Sequence, residues 1–121
     1  PTVILTEDGK PFMTVGSPGG TRIFPTVAQV ISHVIDHGMT IQEAIDAARI
    51  FDNAGNKIAY ESGEMGLTPE TVAALEAMGH AVDDRGEWNL YFGGVQGIVY
   101  QEDGTLHGGA DPRRDGKALG F

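Results

Sequence analysis

Five consecutive residues, Gly16-Ser17-Pro18-Gly19-Gly20, have the composition of a loop that does chemistry with its backbone. Glycine opens main-chain conformations closed to other residues and lets a ligand approach the peptide groups. Pro18 fixes its own φ and drives Ser17 towards an extended conformation, which predicts a rigid loop. Thr21 and Arg22 lead to Phe24-Pro25-Thr26-Val27, where a helix is expected to start with Pro25 in its first turn and unpaired N–H groups aimed at the loop. Negative charge on an oxygen is favoured at such a place. The same residues also suit a tight strand-to-helix connection without chemistry, and the loop by itself leaves both readings open.

Other chemistry-bearing residues point less far. His33 and His37 are four apart on one helix face, but the glutamate of a zinc-protease motif is missing from His33-Val34-Ile35-Asp36-His37 and no third ligand follows, so no metal is expected. His80 and His107 have no recognisable partner. The loop lacks the lysine and hydroxyl of a P-loop, and its glycines do not fit G-x-G-x-x-G. Pro1 offers an N-terminal amine of the kind that acts as a general base, yet no enclosed pocket is identifiable around a plain strand start, Pro-Thr-Val-Ile-Leu. Asp111-Pro112-Arg113-Arg114 reads either as a solvated turn or as the site of an arginine that ties chain segments together by bidentate pairing with a carboxylate. Arg49 is open to the same reading.

Composition bounds the alternatives. With 8 basic against 17 acidic residues the net charge is −9, which argues against phosphate-backbone binding and hence against nucleic acid. The chain has no cysteine, which removes disulfides, thiolate metal sites and cysteine nucleophiles together. A length of 121 residues, 40% of them hydrophobic, predicts a single domain over 1–121 with a real core. No apolar run has membrane-spanning length. A chain opening on proline implies loss of an initiator methionine or of a longer precursor, so its start is silent about the parent protein's address.

These groups must be held by regular elements. Val3-Ile4-Leu5 and Phe12-Met13-Thr14-Val15, joined through Asp8-Gly9, predict a hairpin over 2–15. Val27, Val30, Ile31, Val34 and Ile35 recur at helical spacing up to a stop at Gly38, expected at the C′ position. Thr40 and Glu43 form a capping box for a second helix whose inner face is Ile41, Ala44, Ile45 and Ala48. From Phe51 to Gly66 the pattern reads mostly as loop, with a strand at Lys57–Glu61. Thr68-Pro69-Glu70 begins a third helix with a Val72, Leu75, Met78 stripe ending at Gly79. Ala81-Val82 starts a short strand, Asp83 to Asn89 looks exposed, and Val95–Gln101 and Thr105–Ala110 form a second hairpin through Asp103-Gly104 before an apolar Phe121. The expectation is an α+β layer, one mostly antiparallel sheet with helices on one face. Its other face needs a cover from outside this chain, which predicts self-association of the isolated chain.

Gly16-Ser17-Pro18-Gly19-Gly20-Thr21-Arg22-Ile23 resembles the Gly-Ser-Pro-Gly-Gly-Ser-Arg-Ile of the γ-glutamyltransferase (glutathione hydrolase) family small subunit. Val95-Gln96, Asp103-Gly104 and Gly109-Ala110-Asp111-Pro112-Arg113 follow in the same order and at similar spacing, and Ala47-Ala48-Arg49 is similar to the family's Ala-Pro-Arg with alanine for proline. The resemblance therefore extends over nearly all of 1–121. It implies the C-terminal portion of a small subunit in an autoprocessed N-terminal-nucleophile hydrolase zymogen, an αββα sandwich. The nucleophilic threonine, the serine pair that holds the substrate α-carboxylate and the acidic residues for its α-amino group would all lie upstream of Pro1. By the same resemblance Gly19 and Gly20 are expected to donate backbone N–H bonds to the oxyanion; beside it, Ser17 and Pro18 are expected to shape the substrate-binding loop, and Arg49, Arg113 and Asp111 to pair structurally in support of maturation or assembly. The implied partners are the large subunit, the rest of the small subunit and a γ-glutamyl small molecule such as glutathione. No cofactor is implied, and the implied address is periplasmic or extracellular. A related acylase with another amide substrate, or a non-enzymatic binding or assembly module on this scaffold, is the alternative; the chain alone is expected to be inactive.

Overall fold

The computed structural model describes residues 1–52, 54–55 and 57–120. Two hairpins build its first sheet. β1 (Thr2–Leu5) pairs antiparallel with β2 (Pro11–Gly16), and the later strands β6 (Gln96–Tyr100) and β7 (Leu106–Ala110) pair likewise. β2 joins β6, so the order is β1-β2-β6-β7, numbered in chain order. Both Asp-Gly turns place glycine at positive φ, Gly9 at 81° and Gly104 at 87°.

One face of this sheet is covered by α1 (Ile23–Ile35) and α2 (Ile41–Asp46). Met13, Val15 and Val99 of the strands meet Val27, Val30, Ile41, Ala44 and Ile45 of the helices, with Val95 closing the core. Glycine brings α2 close. A Cβ at Gly97 would lie 2.9 Å from Ile41 Cδ1, and one at Gly109 would lie 2.8 Å from Ile45 Cδ1. The capping box is formed, Glu43 N–H donating to Thr40 Oγ1 at 3.3 Å and Thr40 N–H to Glu43 Oε2 at 2.8 Å. These bonds from Thr40 hold the Glu43 carboxyl below the ordinary glutamate value. Gly38 takes φ 67° past the C-cap Asp36, one residue beyond the C′ position expected for it. α2 ends before Ala48 because Ala47 turns extended (ψ 142°) and carries the chain away from the helix axis.

The stretch read mostly as loop contains the expected strand as β4 (Lys57–Tyr60) and an additional one, β3 (Ile50–Asp52). With β5 (Ala81–Asp84) they form a second sheet of order β3-β4-β5, where a single sheet was expected. β4 and β5 are parallel, and α3 (Pro69–Ala77) lies between them in sequence. Parallel strands need a crossover rather than a turn, so hairpin signals do not reveal them. Thr68 caps α3 as expected, but its stripe is shallow: Val72 and Leu75 are half-buried and Met78 is exposed.

Two glutamines guard sheet edges. Gln42 accepts from Ala110 N–H (3.0 Å) and donates to Ala110 O (3.1 Å), and Gln29 treats Ile50 the same way at 3.0 and 2.9 Å. Each side-chain amide thus stands in for a neighbouring strand. The second face of the first sheet, with Val3, Thr14, Ile98 and Gly108, opens onto a groove that also reaches Pro18 and Leu119. Phe121 lies outside the described residues.

Ile45 is wholly buried, so Ile45→Ala is expected to lower unfolding free energy by about 2–5 kcal/mol. Ile35→Ala, at an exposed position on α1, should change it by under about 0.5 kcal/mol. Denaturant unfolding of the two variants measures the contrast, and equal losses would contradict the core described.

Candidate functional site

The glycine loop runs from the end of β2 to the first turn of α1. Ser17 Oγ donates to Pro18 O at 2.7 Å and accepts from Gly94 N–H at 3.1 Å. Gly19 has φ 145° and Gly20 φ 61°, both in the region that favours glycine. Gly19 O accepts from Arg22 N–H at 3.2 Å, and Gly20 O from Ile23 N–H, which winds the chain into a short 3-10 turn ahead of α1. The carbonyls are therefore engaged. The Gly19 and Gly20 N–H groups have no acceptor among the described residues, Gly19 being half-buried and Gly20 exposed. Pro1 lies beside this loop, its Cα 3.5 Å from where a Gly16 Cβ would stand.

Below the loop lies a cluster of four buried charges. Arg49 Nη2 meets Asp111 Oδ2 at 2.6 Å, and Arg113 grips Glu61 with Nε–Oε1 at 2.7 Å and Nη2–Oε2 at 2.5 Å. Arg113 Nη1 also reaches Asp111 Oδ1 at 3.2 Å. Two cations and two anions cancel, which is the condition for burying them together. Backbone groups fill most of the shell, Arg49 Nε alone among the cluster's guanidinium nitrogens being buried without an acceptor among the described residues. Ile45 O accepts from both arginines (2.9 and 3.0 Å), Ala47 O from Arg113 (3.1 Å) and Phe92 O from Arg49 (3.2 Å). The carboxylates accept in turn from Arg49 N–H (2.9 Å), Asn89 N–H (2.9 Å), Val95 N–H (2.7 Å) and Arg113 N–H (2.9 Å). Burial and the neighbouring Arg113 charge pull the Arg49 guanidinium below its ordinary value, against Asp111. Burial opposes charge on Arg113 too, but pairing with Glu61 outweighs it and raises the value. Trp88, at the unusual φ of 53°, sets its ring 5.1 Å from the Arg113 guanidinium carbon and covers the cluster.

The segment between cluster and loop is tied on both sides. Phe92 O, held by Arg49, also accepts from Thr26 Oγ1 at 3.0 Å, and Tyr91 O accepts from Arg22 Nε at 2.6 Å. The Arg22 guanidinium lies 4.2 Å from the Tyr91 ring centroid and that of Arg85 4.4 Å. Gly93-Gly94 then passes directly under Ser17 and Pro18.

Of the residues singled out in the sequence, Ser17, Pro18, Gly19 and Gly20 stand together on one loop, and Arg49, Asp111 and Arg113 stand together in the buried cluster. Glu61 and the Gly93-Gly94 pair were not anticipated. A glutamate ending a strand is exposed by default, and its signal was only its place next to the apolar Ile58-Ala59-Tyr60 run. His33 and His37 meet edge to face with ring centroids 5.9 Å apart near the end of α1. Among the described residues no group of three or more metal-ligating side chains is assembled.

The family model described as Gamma-glutamyltranspeptidase matches residues 1–121. The glutathione hydrolase proenzyme of Bacillus subtilis (strain 168) is 38% identical over 119 residues, covering 98% of this chain and 19% of its own length. The acylase ACY 1 proenzyme of Pseudomonas sp. (strain V22) is 37% identical over 115 residues, covering 94% of this chain and 19% of its own length. Among solved structures, a highly active mutant of γ-glutamyltranspeptidase from Pseudomonas nitroreducens aligns with TM-score 0.81 and 30% identity, over 100% of this chain and 59% of that one. The chain spans about one fifth of the length of these curated relatives.

Because Glu61 satisfies Arg113 and two backbone N–H groups at once, Glu61→Ala is expected to destabilise the fold by about 3–5 kcal/mol. Lys117→Ala, on the exposed tail, should shift it by under about 0.5 kcal/mol. Unfolding midpoints report both, and a Glu61→Ala protein as stable as its parent would remove the cluster's structural role.

Proposed function

The chain belongs to the γ-glutamyltranspeptidase family, within the α+β fold of the N-terminal-nucleophile hydrolases, and from that footing we propose that it is the C-terminal portion of a small subunit whose Gly19 and Gly20 N–H groups stabilise an oxyanion. The reaction is acyl transfer from a γ-glutamyl amide such as glutathione. A threonine Oγ from the upstream chain adds to the amide carbon and passes its proton to the threonine's own amine. The carbonyl π pair moves onto oxygen, and the resulting alkoxide is met by the two peptide N–H groups. Collapse of that intermediate expels the amine, which takes up the proton, and water or an amino acid repeats the sequence on the acyl-enzyme.

The observation that carries this reading is the pair of N–H groups left without an acceptor among the described residues on a loop whose Pro18, Gly19 and Gly20 carbonyls and Ser17 hydroxyl are all engaged. Donors fixed in advance need no reorganisation as charge develops, which is where such a site is effective. The position of Pro1 against Gly16 supports the reading as well, since the serines expected just upstream would then arrive beside the loop. The uncovered sheet face, with exposed Val3 and Ile98, suits the remainder of the precursor as its second layer. Acylases match this chain about as well as glutathione hydrolases, at 37% against 38% identity, so an acylase acting on a different amide is the second reading.

Replacing the Gly20 amide by an ester removes the donor while keeping φ near 61°, which proline, locked near −65°, would not do. In the complete processed enzyme this exchange is expected to lower kcat on a γ-glutamyl anilide by about 10²–10³-fold with a much smaller change in KM. Unchanged turnover would exclude the oxyanion role.

A further inference from the structure

We propose that Ser17 and Gly93-Gly94 are positioning residues that set the direction of the Gly19 N–H, an inference that rests on the oxyanion reading above. The Pro18 carbonyl and the Gly19 N–H belong to one planar trans peptide and point in opposite directions. Ser17 Oγ donates to that carbonyl at 2.7 Å, and the same hydroxyl is held from below by Gly94 N–H at 3.1 Å. Fixing the oxygen towards Gly93 therefore turns the Gly19 N–H to the opposite side, away from Gly93. The hydroxyl acts on the donor without touching the substrate.

Position 93 admits nothing larger than glycine without moving that peptide. A Cβ there would lie 2.5 Å from Ser17 Oγ and 2.7 Å from Pro18 O, and φ is 90°. The Gly93 Cα is also 3.6 Å from the place a Gly19 Cβ would take, so the two backbones are in direct contact. At position 94 a Cβ would meet Arg114 Cγ at 2.3 Å. The support itself does not yield easily: Phe92 O is fixed by Thr26 and Arg49, and Val95 N–H by Asp111. Buried charge, glycine pair and catalytic loop form one continuous chain of contacts.

The test uses the complete processed enzyme, a γ-glutamyl anilide substrate and a boronate that mimics the tetrahedral intermediate. Ser17→Ala adds no atoms and removes the hydroxyl; it is expected to lower kcat by about tenfold, and Gly93→Ala by about 10–100-fold, with KM within about threefold. The boronate Ki should rise by the same factor as kcat falls, which a loss of folded protein would not produce. Gly104→Ala, which has the same sign of φ but open space around its Cβ, is the control and should keep kcat within about twofold. If Gly93→Ala fails to mature, Ser17→Ala decides. A kcat within twofold of the parent, or a change confined to KM, overturns the proposal. Loss of activity in the Gly20 ester with unaltered Ser17→Ala and Gly93→Ala would reject the positioning role alone, whereas an unaltered ester rejects the oxyanion reading beneath it.

Discussion

The rest of the structure depends on one electrostatic constraint: Arg49, Glu61, Asp111 and Arg113 are all buried, and none can be buried alone. Removing a charge from water costs several kcal/mol after relaxation, and only opposite charge with full hydrogen bonding offsets it. That requirement gathers four separate parts of the chain at one point. Arg49 follows α2, Glu61 follows β4, and Asp111 and Arg113 follow β7, while Asn89 and Val95 bring the connecting segment to the same carboxylates. The first sheet and the second are thus joined by ions rather than by a shared hydrophobic layer. Phe51, Ala59 and Phe92 form a small apolar group of their own, apart from the main core.

From that fixed point the geometry is passed upward to the glycine loop. Phe92 O and Val95 N–H clamp both ends of Gly93-Gly94, and Gly93 has no side chain to hold Ser17 and Pro18 at a distance. A site that works through backbone N–H groups has no side chain to steer, so its aim must come from the peptide planes themselves. Rigid support placed under such a loop is what preorganisation means in atomic terms. The exposed sheet face contrasts with the edges of β3 and β7, each bracketed by a glutamine.

Much of this was legible in the residues. Asp-Gly turns, the Thr40–Glu43 capping box and the Val27 to Ile35 stripe are local signals, and each produced its element nearly where expected. Ser17 to Gly20 were legible because glycine and proline restrict the backbone directly. Arg49, Asp111 and Arg113 were readable as pairing residues, but Glu61 was not, since nothing local distinguishes a buried glutamate from a solvated one. The strands at Lys57–Tyr60 and Ala81–Asp84 were legible, but β3 and the pairing of all three into a second sheet were not, because a three-residue strand and a parallel crossover have no turn signature. Met78 fell outside the core because α3 lies on the small sheet, where little apolar surface is available to cover its full stripe.

A crystal structure of the complete enzyme carrying a tetrahedral adduct on its nucleophile would test the central claim most directly. The account predicts the adduct's oxyanion about 2.7–3.1 Å from the Gly19 and Gly20 nitrogens, with Ser17 Oγ still on the Pro18 carbonyl. An oxyanion facing solvent, or held by other donors while these two N–H groups point elsewhere, would contradict it.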